Sequence, residues 1–301
     1  MLKNIPDNMN ITVQMRCYSC FLRQADIALS HTNLDEEHKH IVMRSLMETL
    51  KRIDPNGSPA AASTIMHRKI REMVGYDPFS VIKMKYNNYA LQMHSDLATI
   101  ISDSKDRLEA AARLAIAGNV IDFGIFRAVD IGATVNRALK EPLDVDNYKE
   151  FKEALANHKE ILYLLDNAGE IVFDMLLITE LQLMGKVVCA VVRGEPVIND
   201  CTMADAKHVA LTTMCKVLDN RSDAVGTVVE EMPEPLRKAM LAPSTLIISK
   251  GQANFETLYD RSGPNTFFLF QSKCEVISLQ LGLPKGAMLL AQGVHQTVQR
   301  R

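Results

Sequence analysis

The chain has 301 residues, 47% of them hydrophobic and 23% charged, with a formal charge of −2; this is the balance of a globular protein with room for one large domain or two smaller ones, and it leaves no basic footprint for nucleic acid. No apolar run approaches the roughly 20 residues of a membrane span, and the opening MLKNIPDNMNITVQMR has neither an apolar signal core nor a cleavage site. Six cysteines do not make a disulfide scaffold in a chain of this length, so a reducing, cytoplasmic setting is the expectation.

The first hundred residues carry no strand signal. Helical patterns cover 21–30, 34–52, 60–74 and 80–101, separated by Asp54-Pro55-Asn56-Gly57-Ser58-Pro59 and by Gly75 with Asp77-Pro78. They are expected to form an all-helical subdomain, residues 1–100, packed beside or over a sheet built from residues 101–301. Cys17-Tyr18-Ser19-Cys20 suits half a zinc site, a redox pair or two buried thiols. A structural zinc needs two more ligands; no second CxxC or HxxxH follows, and His38 and His40 are wrongly spaced for the usual pair.

An Ala-rich helix over 108–117 runs into Gly118-Asn119-Val120-Ile121-Asp122-Phe123-Gly124, which combines a helix cap with a polar group in an apolar turn. A helix over 151–157 feeds the most informative stretch. Residues 161–165 form an apolar strand that stops at Asp166-Asn167-Ala168-Gly169. Glu170 opens a helix to about 184, and 187–192 is a second buried strand ending at Arg193-Gly194. This βαβ unit predicts a parallel pair with a right-handed crossover. Its strands deliver Asp166 and Asn167, then Arg193, Asn199 and Asp200, to the carboxyl edge where open α/β sheets bind ligands. Thr202 and Asp205 make a capping box opening a helix to about 214, with further helix over 224–231 and 236–241. Strands are expected at 245–249, leading into Lys250-Gly251-Gln252-Ala253-Asn254, at 267–270, leading into Lys273, and briefly at 276–279. Beyond 293 the tail reads as frayed or an edge element.

Two aspartates and an asparagine offer hard oxygen donors, suited to Mg²⁺ or Mn²⁺ and not to structural zinc. Lysines from neighbouring strand ends, with helix N-termini, describe a phosphate site. Other motifs are missing: there is no GxGxxG after a strand, no GxxxxGK[ST] and no GxSxG. Ala168 stands where an aspartyl-phosphate phosphatase would carry its second aspartate.

LLDNAGEIVFD, RGEPVINDCTMADA, SKGQANFETL and FLFQSKCEV, with AGNVIDFG and MRCYSC before them, resemble the metal-dependent damage-control phosphatases. This former family of unknown function includes proteins described as acidic-residue methyltransferases, and the early CxxC is similar to its prokaryotic and archaeal subfamily. The resemblance spans nearly the whole chain. It implies an α/β fold with a parallel-rich, Rossmann-like sheet flanked by helices, and hydrolysis of phosphate monoesters of small metabolites, such as sugar phosphates or damaged phosphometabolites. One divalent ion (Mn, Co, Ni or Mg) would be held by Asp166, Asn167 and Asp200. Lys250 and Lys273 match the family's lysines and are the candidate catalytic cations, Lys250 placed to meet phosphate oxygens, and Asp205 is the candidate general acid or base. Asn119, Asp122, Glu170 and Asn254 match recurring polar positions suited to substrate or phosphate. FQSK replaces the RTxK of the eukaryotic type, which leaves substrate choice open. Two alternatives stand beside this reading: a non-catalytic binder of metal and phosphometabolite, and a carboxyl methyltransferase, although a glycine-rich S-adenosylmethionine loop is absent after the first strand.

Overall fold

Strand β2 (Glu160–Leu164) lies mid-sheet with β3 (Val187–Val192) on one side and β5 (Thr245–Lys250) on the other, all parallel. The computed structural model describes residues 5, 6, 9, 11–120 and 131–293. Among them, β4 (Lys216–Asp219) continues the sheet beyond β3; β6 (Thr266–Gln271), β7 (Met288–Gln292) and β1 (Val145–Asp146) continue it beyond β5, giving the order β1-β7-β6-β5-β2-β3-β4. Every pairing is parallel except β6 with β7. The chain leaves β2 toward β3 and β4, then returns to β2's other side as β5. Such a reversal opens a crevice at the carboxyl ends of the strands.

Alternate strand residues enter opposite cores, as the pleat requires. Ile161, Tyr163, Ile248, Phe267 and Leu269 pack with α5 (Arg107–Val120) and α8 (Glu170–Leu183). Leu162, Leu164, Ile247, Phe268 and Phe270 pack on the other face with α11 (Glu234–Leu241), α12 (Gln252–Leu258) and α13 (Glu275–Leu281). Both faces are covered, which is why these strands read as unbroken apolar runs. Helix α8 is apolar on nearly all sides and buried along most of its length, as a helix between a sheet and another helical layer must be.

Helices α1 (Met15–Ser30), α2 (Glu36–Leu50) and α3 (Pro59–Val74) have their own core, with Phe21, Leu46 and Met66, and Tyr86 of α4 (Ser80–Ser102) joins it. Farther along α4, Ala90, Leu97 and Ile101 belong to the core of α5 and α8. One helix thus serves both layers.

The expected strand at 276–279 is instead α13. Val276, Ile277 and Leu281 are buried while Leu279 is exposed, a helical spacing that so short an apolar run cannot reveal by periodicity. The expected helix from 203 to 214 breaks at left-handed Ala210 into α9 (Met203–His208) and α10 (Leu211–Met214). Of 224–231, only Val229–Glu231 coils, as a 3-10 turn. Strands β1, β4 and β7, and helix α6 (Ile131–Lys140), have no counterpart in the sequence reading; β1 and β4 are too short to show a period. The tail beyond 293 lies outside the described residues.

Candidate active site

Two loops at the carboxyl edge are zipped together by main chain. Asn167 and Asp200 form an isolated antiparallel bridge. Ala168 N–H donates to Asn199 O (2.9 Å), and Cys201 N–H donates to Asp166 O (2.7 Å). These bonds bring Asp166, Asn167 and Asp200 together. Asp166 and Asp200 are buried and Asn167 is half-buried. The Asn167 amide nitrogen donates to Asp166 Oδ2 (2.6 Å) and Glu170 Oε2 (3.0 Å). Its carbonyl oxygen, the atom able to ligate a cation, is therefore not spent on those carboxylates.

Gly251 follows β5 with φ +82°, and a Cβ there would stand 1.9 Å from Asp166 Oδ2. Only glycine permits that approach. Gly169, at φ +79°, makes the corresponding tight turn into α8.

Burial pushes the Asp166 carboxyl well above the usual range; Glu170 and Asp200 push the same way, while Arg193 and Lys273 oppose them. Asp200 is raised by burial, against the pull of Arg193, whose Nε donates to Oδ2 at 2.7 Å. Lys250 is wholly buried. Its ammonium reaches Ala115 O (2.9 Å), Glu170 Oε1 (2.6 Å) and Asp174 Oδ1 (2.7 Å), so its three protons have three acceptors. Burial would lower its pKa, but Asp174 and Glu170 outweigh that and raise it. Asp174, raised by burial to about 7 against Lys250, also accepts from Tyr163 OH at 2.7 Å on Oδ1, while its buried Oδ2 has no hydrogen-bond partner.

The other candidates divide. Lys273 is half-buried, near enough for its charge to bear on Asp166, and its N–H donates to Gln252 Oε1 (2.8 Å). Asn254 donates to Lys250 O and Leu165 O, and accepts from Arg193 Nη2 and Thr227 Oγ1; all its bonds go to the frame. Asp205 accepts from Thr202 N (2.9 Å) and Thr202 Oγ1 (2.8 Å) on Oδ2 and from Asn87 Nδ2 (2.9 Å) on Oδ1. Asp122 and the side chain of Asn119 lie outside the described residues.

Among the described residues no group of three His, Cys, Asp or Glu side chains has the geometry to hold a metal ion. The candidate set is of another kind, two carboxylates and an amide oxygen, and it fits a hard divalent cation. Arg193 is committed to Asp200 and Lys250 to Glu170 and Asp174. Asp166 faces the like charges of Glu170 and Asp200 against the pull of Arg193 and Lys273.

The sequence pattern of the damage-control phosphatase ARMT1-like domain matches residues 13–289. The chain belongs to that family. A damage-control phosphatase of Archaeoglobus fulgidus is 32% identical over 283 residues, 91% of this chain and 96% of that protein. One of Pyrococcus horikoshii is 32% identical over 287 residues, covering 92% and 96%. The crystal structure of a DUF89 family protein from P. horikoshii superposes with a TM-score of 0.83 at 32% identity, covering 94% of this chain and 99% of that one. The family's fold accordingly spans the chain nearly from end to end.

Within this member of the family, sequence reasoning missed Lys83 and Asn87 on α4. Lys83 Nζ lies 2.8 Å from Asp77 Oδ2 and 3.7 Å from Asp205 Oδ2. Burial lowers its pKa, but the charges of Asp205 and Asp77 prevail and raise it. A signal existed: asparagine is a poor residue for a helix interior unless its amide is wanted elsewhere, and Lys83 sits one turn before it on the same face. Cys17 is buried and Cys20 exposed, both free thiols.

Proposed function

We propose that the chain is a metal-dependent phosphatase that hydrolyses phosphate monoesters of small metabolites, sugar phosphates or damaged phosphometabolites. The observation that carries this reading is the main-chain zipper that gathers Asp166, Asn167 and Asp200 at the sheet's reversal point. The names of the archaeal relatives support it. One divalent ion, Mn, Co, Ni or Mg, would be held by those three side chains, where it would supply Lewis-acid polarisation of a phosphoryl oxygen.

The chain's own groups do the rest. Lys273, whose charge already reaches Asp166, meets the phosphate from the neighbouring strand end. Lys250, buried with all three protons taken, is not the direct phosphate contact expected from the sequence; it holds Glu170, which accepts from the Asn167 amide, and so positions a candidate metal ligand. Asn254 locks Arg193, and Arg193 locks Asp200. Residues 1–100 form the helical wall beside the crevice and 101–301 the sheet domain, with α4 shared between them. Six free thiols support a cytoplasmic setting. No helix among the described residues is long and apolar enough to cross a membrane.

Phosphate release from a panel of sugar phosphates and other phosphomonoesters, with and without Mn²⁺, tests the reading. Release that needs the ion and disappears in Asp166→Ala is the expected result. Binding of the esters without release makes the chain a binder, and methyl transfer from S-adenosylmethionine to carboxylates makes it a methyltransferase; either outcome overturns the proposal.

A further inference from the structure

The two loops that carry the candidate metal ligands are joined by main chain on one side. On the other they are joined by a single side chain from a distant helix. Asn87 of α4 is 1% exposed. Its Oδ1 accepts from Gly169 N–H at 2.7 Å, two residues after Asn167. Its Nδ2 donates to Asp205 Oδ1 at 2.9 Å, and Asp205 Oδ2 accepts from the N–H and hydroxyl of Thr202, two residues after Asp200. One amide thus spans from the turn of the first ligand pair to the cap of the loop carrying the third ligand. Lys83, one turn earlier on α4, adds its charge to the same carboxylate and is itself held by Asp77.

We infer that Asn87 is a positioning residue for the metal site, and that α4 sets metal affinity without ligating the ion. The inference rests on the metal reading proposed above. The physical reason lies in the donor set. Asn167 and Asp200 stand on separate loops, and a cation binds them well only when their oxygens are already at coordinating separation. Lose the brace, and the main-chain zipper alone joins the loops, so the ion must supply the rest of their order. Because Gly169 N–H and Asp205 Oδ1 are both buried next to the site, neither recovers its partner from bulk water when Asn87 is removed. Partners of this kind, which orient metal ligands without touching the metal, typically account for about 10–100-fold in metal affinity.

Mn²⁺ titration calorimetry on the full chain tests this, using Asn87→Ala, Asn87→Asp, Asn88→Ala and Asp166→Ala. Asn88 is the neighbouring residue, and its side chain meets His208 at the surface instead. Asn87→Asp keeps the volume and the acceptor for Gly169 but sets an oxygen against Asp205 Oδ1. The expected result is an Mn²⁺ Kd weakened about 10–100-fold in both Asn87 variants and unchanged in Asn88→Ala. The Mn²⁺ concentration for half-maximal phosphate release should rise by the same factor, and saturating Mn²⁺ should restore kcat. A merely structural role would lower Tm equally with and without Mn²⁺ and leave Kd alone. Folded Asn87 variants that bind Mn²⁺ as wild type does overturn the inference. So does failure of both to fold, since that makes Asn87 a residue of the fold alone. If Asp166→Ala still binds Mn²⁺ normally, the metal reading itself has failed; if only the Asn87 variants keep their affinity, that reading stands and the brace falls.

Discussion

A methyl group added at Gly251 would lie 1.9 Å from Asp166 Oδ2, on backbone at φ +82°, so the substitution attacks the site twice, by strain of order 1–3 kcal/mol and by displacing a candidate ligand. Gly251→Ala is expected to lose Mn²⁺ binding and phosphate release together, with a Tm lowered by several degrees, measured by calorimetry and thermal melting; retained Mn²⁺ affinity would contradict the placement of Asp166. Asp205 is argued differently. Both its oxygens already accept hydrogen bonds, which suits a cap more than a proton shuttle. Asp205→Asn still caps Thr202 through its one oxygen but sets its NH2 against Asn87 Nδ2, so it should keep most of kcat at saturating Mn²⁺ while its Mn²⁺ affinity weakens. Asp205→Ala should cost about 1–3 kcal/mol, read from denaturation midpoints. A thousandfold loss of kcat in Asp205→Asn at unchanged Tm would restore it as general acid or base. Asp166 and Asn167 are legible in the sequence because they follow closely on buried β2, and Asp200 because it stands in the polar loop between β3 and the Thr202 cap, so local patterns carry all three. Asn87 is not. Its partners lie 82 and 118 residues away, and no local period records such a contact.

At the scale of an element, α12 shows how a short helix fills one core and holds a polar turn at once. Phe255 packs edge-on to Phe268 and stacked on Phe270. One turn away, Gln252 accepts from the N–H groups of Lys273 and Cys274 through Oε1 while donating to Glu256 Oε1 at 2.8 Å. Burial pushes Glu256 from 4.5 up to about 7. Between those values the folded protein holds a proton that the unfolded chain has released. Stability contributed by Glu256 is therefore full below about 4.5 and is lost as pH rises through about 7. Denaturant midpoints taken across that window should fall with pH, and Glu256→Gln should flatten the slope; an unchanged slope in the variant would assign it to other groups. The same length scale explains α13 and β7. A seven-residue helix and a five-residue strand flanked by β1 and β6 each offer too few residues for a period to decide between them, whereas α8 announces itself by its length and β2 and β5 by the turns at Gly169 and Gly251 that follow them.

Across the whole molecule, α4 makes the N-terminal helices inseparable from the sheet. Ala90, Leu97 and Ile101 lie in the main core, and Lys83 and Asn87 reach the site. A chain lacking residues 1–100 should show no cooperative melting transition; a sharp transition with wild-type activity would mean that the sheet domain stands alone. The chain's return to β2 as β5 has a further consequence, for the order of events during synthesis. Glu170 meets Lys250 across 80 residues, and Asn254 caps Leu165 across 89. A ribosome therefore releases all three candidate ligands well before the strand that must slide in beside them exists. Until β5 arrives, β2 presents an unpaired edge and Asp166 lacks the glycine against which it seats. Such non-local pairing is slow to form. The nascent chain is thus exposed to misassociation at that edge, and competence to bind a cation arrives only with the last third of the protein.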